Sequence, residues 1–123
     1  MAMKIPGVDL EKGLDLYDDE FDLYLTVLRS YISNTPAALD RLRNVSAETL
    51  PDYAAAIHGV KGTSANIGAE ETRKTALKLE TAAKAGDLAA VLAENKAFLS
   101  HADALMDGLK KWLEEYDAGK HSV

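Results

Sequence analysis

The sequence predicts an all-α fold: an antiparallel up-and-down four-helix bundle with a short extra helix at its N-terminus. Three observations predict it. Apolar residues step by threes and fours along four long segments. The residues between those segments are helix caps and stops rather than hairpin turns. The connections are short, so each helix folds back on the one before it, and four amphipathic helices joined in that way bury their stripes together as a bundle.

Taken in order, Asp9 caps a short helix over about Leu10 to Tyr17, expected to lie across one end of the bundle. Asp18 or Asp19 then caps a long helix whose stripe is Phe21, Tyr24, Leu28, Tyr31, Thr35, Leu39 and Leu42. Pro36 lacks an N–H and predicts a kink or break near Asn34. Thr49, with Pro51 just after it, opens the next helix, and Gly68 ends it. A fourth segment runs from about Glu70 to Lys84 with Ala76, Leu79 and Ala83 facing inward, and Ala85-Gly86-Asp87 supplies its stop and the following cap. The last helix, about thirty residues long, carries Leu88, Val91, Leu92, Phe98, Leu99, Ala102, Leu105, Met106, Leu109, Trp112, Leu113 and Tyr116. A single domain over residues 1–123 is expected, with its core at about 7–116 and a flexible tail at 117–123.

Composition narrows the function classes. At 123 residues the chain has room for one core but not for a nucleotide-binding kinase domain as well, and it contains neither GxxxxGK[ST] nor GxGxxG. A net charge of -6 and a pI near 5.0 argue against nucleic acid and against an anionic membrane surface. Without cysteine there is no disulfide frame and no thiolate metal site. The apolar runs fall short of a membrane span, and Met1-Ala2-Met3-Lys4-Ile5-Pro6 lacks a signal-peptide core. The acidic run Asp15, Asp18, Asp19, Glu20 and Asp22 has no EF-hand spacing and reads as capping and a solvated face. Tyr17, Tyr24, Tyr31 and Tyr53 read as packing residues. The chain is therefore expected to be a soluble, cytoplasmic protein, without direct membrane contact, whose partners are proteins.

Chemistry concentrates in Ile57-His58-Gly59-Val60-Lys61-Gly62-Thr63-Ser64-Ala65-Asn66-Ile67-Gly68. At 100° per residue, Tyr53, Ile57, Val60, Ser64 and Ile67 form the core stripe. His58 lies roughly 130° from its centre and Lys61 about 70°, so the imidazole points outward and the lysine occupies the shoulder. Gly62 and Ala65 share the histidine's side and leave it almost bare. Glycine inside a helix costs about 1 kcal/mol relative to alanine, and close approach of a partner is a reason to accept that. An exposed imidazole is a nucleophile at neutral pH, and a lysine one turn on is a mobile cation for phosphoryl oxygens. His101 falls off the hydrophobic seam and His121 lies in the tail, so both read as solvated.

His58-Gly59-Val60-Lys61-Gly62, with Ser64 and Gly68 behind it, resembles the HxLKGxSxxxG signature of histidine-containing phosphotransfer (HPt) domains, with Val60 in place of the usual leucine. The resemblance extends over about residues 7–116, through Gly7 to Leu14, Phe21 to Tyr31, Leu79-Glu80 and Ala85-Gly86-Asp87. It implies a four-helix bundle in which His58 is phosphorylated, Lys61 stabilises the phosphate and Gly62 gives a partner access. Glu80 and Lys84 on the neighbouring helix are the candidates for a further partner-binding polar residue. The implied partners are receiver domains of response regulators or hybrid histidine kinases, met by a monomer. No metal site and no cofactor of its own is implied, magnesium being held by the partner receiver. Two other classes compete. One is a bundle that docks receivers or kinases without carrying phosphate. The other is a haem- or metal-binding bundle with His58 and His101 as ligands, against which stand the outward direction of His58 and the lack of Glu-x-x-His or CxxCH.

Overall fold

Apolar residues at helical spacing drive each segment into a helix, and the chain turns where its backbone leaves the right-handed region. The computed structural model describes residues 4–119. They form α1 (Leu10–Asp15), α2 (Phe21–Asp40), α3 (Leu50–Ala65), α4 (Glu70–Lys84) and α5 (Leu88–Asp117). No strand occurs among the described residues, and none of their helices is long and apolar enough to cross a membrane. In the ring of long helices, α2 packs on α3 and α5, and α4 packs on α3 and α5.

Polar ties between helix ends give the direction of each neighbour. Tyr24, in the first turn of α2, donates to the carbonyl of Ile67 just past the end of α3 (2.7 Å). Arg29 holds Asp117, the last residue of α5, through both carboxylate oxygens (2.6 and 2.9 Å). At the opposite end the buried amide of Asn95 donates to the carbonyl of Leu42 (2.8 Å) and accepts from the Tyr53 hydroxyl (2.7 Å). α2 therefore runs antiparallel to both α3 and α5, as expected. The interior is filled by Tyr24, Leu28, Leu39, Tyr53, Ile57, Val60, Leu79, Val91, Phe98 and Leu109, all at most 2% exposed.

α1 closes one end. Asp9 caps it by accepting from the Lys12 amide (3.2 Å), and the Asp9 amide donates to the Gly68 carbonyl (2.8 Å). Gly68 has φ +77°, and a Cβ there would sit on the Asp9 carbonyl oxygen. The glycine that turns the chain just past the end of α3 is thus also the surface on which α1 docks.

Several expectations are corrected. α1 ends at Asp15 rather than near Tyr17. Asp18 and Asp19 do not cap α2; both adopt left-handed backbone (φ +53° and +60°), and the Asp19 amide donates to the Leu14 carbonyl (2.9 Å), closing α1 instead. Glu20 is the N-cap residue. α2 runs through Pro36 without a break near Asn34: the ring is exposed and close to the helix end, while buried Thr35 and Leu39 anchor that turn. Leu92 is 54% exposed, outside the α5 seam. Asp117 is not tail but the end of α5, held by Arg29, and residues 120–123, with His121, lie outside the described residues.

Gly68→Ala is expected to lose about 2 kcal/mol or more, from left-handed strain plus displacement of α1. Gly59→Ala, where an added Cβ meets nothing within 4 Å, should gain about 0.5–1 kcal/mol. Urea unfolding of the two variants checks both signs.

Candidate functional site

The register of α3 is set from inside. Tyr24 and Tyr53 pin its two ends, and between them the hydroxyls of Tyr31 and Ser64 share a buried hydrogen bond (2.9 Å). Burial raises all three tyrosine hydroxyls above their ordinary value, so they remain neutral bonding groups. With Ile57 and Val60 buried, His58 can only face outward, and its side chain is 62% exposed.

What meets the ring comes from α4. Leu79 and Ala76 direct that helix inward, and Glu80, one position beyond Leu79, is carried in with them until its side chain is 4% exposed. Three groups surround the carboxylate. His58 Nδ1 lies 2.5 Å from Oε2, Lys61 Nζ donates to Oε1 at 2.6 Å, and Lys84 Nζ reaches Oε2 at 2.9 Å from one turn along α4. The Lys61 hydrogen bond, followed by those from Lys84 and His58, outweighs the opposing effect of burial and holds the carboxyl down at about 2. Glu80 is consequently a carboxylate at any physiological pH and can only accept.

That fixes the proton on the imidazole. A bond between Nδ1 and an obligate acceptor requires Nδ1–H, and in the neutral ring this leaves Nε2 with its lone pair on the solvent side. Two lysines beside one carboxylate also leave a surplus of one positive charge next to that nitrogen. The surface around it is open, since a Cβ added at Gly59 or Gly62 meets nothing within 4 Å. The arrangement offers a nucleophilic nitrogen, a charge to balance the ring when it becomes cationic, and ammonium groups for an anion.

The structure brings together His58, Lys61, Glu80 and Lys84, with Gly62 exposed and Ala65 half-buried on the same helix. One expectation changes: Glu80, with its side chain 4% exposed, does not itself present a surface for a partner, because its carboxylate lies beneath the three groups it bonds. Sequence reading understated it, although a carboxylate beside the inward stripe with a lysine four residues on is an uncommon pattern. Asn95 was not anticipated at all, and nothing in its local sequence marks it. The two histidines of the cofactor alternative engage different residues, two turns apart on α4. His101 is exposed on α5 and bonds Thr72 (3.2 Å), His58 bonds Glu80, and no group of three His, Asp or Glu that could hold a metal occurs among the described residues.

The depressed Glu80 carboxyl has a definite pH signature. Its folded value lies below the ordinary 4.5, so its stabilisation is fully present above pH 4.5 and is lost as pH falls towards 2. Wild type is expected to exceed Glu80→Gln by on the order of 1–3 kcal/mol above about pH 5, with the gap narrowing on acidification. Urea titrations from neutral to acid pH measure it, and a gap independent of pH contradicts the assignment.

The HPt domain family matches residues 26–119, from the first turns of α2 to beyond the end of α5. No curated protein and no solved structure matches the chain. The chain belongs to the Hpt domain family, whose members carry out histidine phosphotransfer in phosphorelays and interact with receiver domains.

Proposed function

We propose that this chain is a phosphorelay intermediate between two receivers. Nε2 of His58 attacks the phosphorus of an aspartyl phosphate; the N–P bond forms as the acyl P–O bond breaks, and the receiver's aspartate is restored as a carboxylate. No proton has to leave Nε2, because the ring proton is on Nδ1. The phosphorylated ring carries positive charge, which the Glu80 carboxylate balances across 2.5 Å. Each ammonium keeps donors beyond the one it gives Glu80, so Lys61 and Lys84 can reach the phosphoryl oxygens, which bring roughly two negative charges. Transfer to the second receiver reverses the first step.

The observation that carries this reading is an exposed histidine whose Nδ1 is engaged from beneath by a buried carboxylate. A docking module without phosphate has no need of that arrangement. Magnesium enters with the receiver, whose acidic pocket holds it, and this chain serves in the cytoplasm as a carrier, not as a nucleotide-dependent enzyme.

Incubated with a phosphorylated receiver, wild type should acquire acid-labile label and His58→Gln should acquire none. Label on the variant would place the acceptor elsewhere. Gly62→Gln should unfold no earlier than wild type, and up to about 1 kcal/mol later, because the added side chain meets open space. Its transfer should nevertheless fall at least about tenfold, since a displaced partner loses in-line geometry. Unchanged transfer in Gly62→Gln would move the docking face away from this side of α3.

A further inference from the structure

We propose that Glu80 controls the departure of the phosphoryl group: it keeps the proton on Nδ1 of phosphorylated His58, so that neutral imidazole is the leaving group well into alkaline solution. Resting on the phosphorelay reading above, this names the controlled step and the proton that controls it. When an acceptor carboxylate attacks phosphorus, an O–P bond forms, the P–N bond breaks and its electron pair returns to Nε2. A ring that holds a proton on Nδ1 then leaves as neutral imidazole, and no proton has to move. A ring with a bare Nδ1 has to leave as an imidazolate anion, a far poorer leaving group. An imidazolium without a partner gives up its proton in the neutral range. Above that range such a ring stalls with the phosphoryl group attached.

Glu80 stands where it prevents that loss. Its Oε2 lies 2.5 Å from Nδ1, at the other ring nitrogen from Nε2, and its side chain is 4% exposed. It therefore acts on the transfer through the ring without touching phosphorus, as a positioning residue. Lys61 and Lys84 bond Glu80 (2.6 and 2.9 Å) and keep donors for phosphoryl oxygens. Once the phosphoryl group brings roughly two negative charges, the two lysines offset it, and the Glu80 carboxylate remains to balance the imidazolium. Other charges stand off. Asp52, the remaining charge on α3, lies six residues before His58 and about 120° around the helix. On α4, Arg73 is two turns from Glu80 and engaged with Glu70 (3.0 Å), while Glu71, Lys74 and Lys78 lie on other faces. The groove between α3 and α2, which runs past Val27, Asn34, Gly59 and Thr63, is lined by no charged side chain. Glu80→Gln keeps the shape of the residue and removes the one charge that answers the imidazolium.

Phosphoramidate, which gives up its phosphoryl group and leaves as ammonia, or failing that a phosphorylated receiver, loads His58 in wild type and in Glu80→Gln. Both are then followed at about pH 6.5 and about pH 9, the second well above the ordinary imidazole range. Nitrogen-15 and phosphorus-31 spectra of the loaded ring at the higher pH should show Nδ1 protonated in wild type and bare in Glu80→Gln. Onward transfer to one acceptor receiver should slow at least about tenfold more in the variant than in wild type between the two pH values. Comparing the two proteins cancels the receiver's own pH dependence, and lost positioning alone would slow the variant equally at both. If Glu80→Gln melts below the assay temperature, the wild-type spectrum decides. A loaded wild-type ring that sheds its Nδ1 proton in the neutral range overturns the proposal, as does parallel slowing of the two proteins. Failure of wild type to take label on His58 from any phosphorylated receiver of the source organism overturns the phosphorelay reading instead.

Discussion

A carboxylate that stays charged inside the bundle ties the site together. Taking an ion out of water costs several kcal/mol unless strong, well-directed bonds replace its hydration. Glu80 satisfies that requirement with Lys61, Lys84 and His58, drawn from two helices. The arrangement constrains more than one residue. It orients an imidazole that is 62% exposed and otherwise free to rotate, and it decides which ring nitrogen carries the proton. Two cations beside one carboxylate also leave that surface with a surplus of positive charge.

The tyrosines do the corresponding work for the helix. Tyr24, Tyr31 and Tyr53 span the core and spend their hydroxyls on Ile67, Ser64 and Asn95, so α3 can neither rotate nor slide without orphaning buried polar groups. Gly68 then joins that helix to α1 through contacts that admit no side chain. The outward face of α3 stays bare because the inward face is so tightly specified.

Periodicity made most of this legible. The stripe Tyr53, Ile57, Val60, Ser64 and Ile67 is buried as spaced, and α4 and its Ala85-Gly86-Asp87 stop lie where the pattern put them. Errors arose where a local rule met tertiary context. Pro36 is tolerated because it sits on an exposed face near a helix end. Asp18 and Asp19 take left-handed turn positions, a role as natural to aspartate as capping. Leu92 fits the seam by composition but lies off the buried side of α5. Asp117 is ordered by an arginine 88 residues away, a pairing no local window contains. Of the site, direction and residue types were readable. The depth of Glu80 was not, because it depends on how closely α3 and α4 approach.

The central claim is that Glu80 holds the proton on Nδ1 and leaves Nε2 as the nucleophile. Nitrogen-15 spectroscopy of the His58 ring, recorded at about pH 8.5, well above the ordinary imidazole range, reads it directly. Wild type should show a protonated Nδ1 and an unprotonated Nε2, with the preference weakened in Glu80→Gln. A wild-type ring protonated on Nε2 would contradict it.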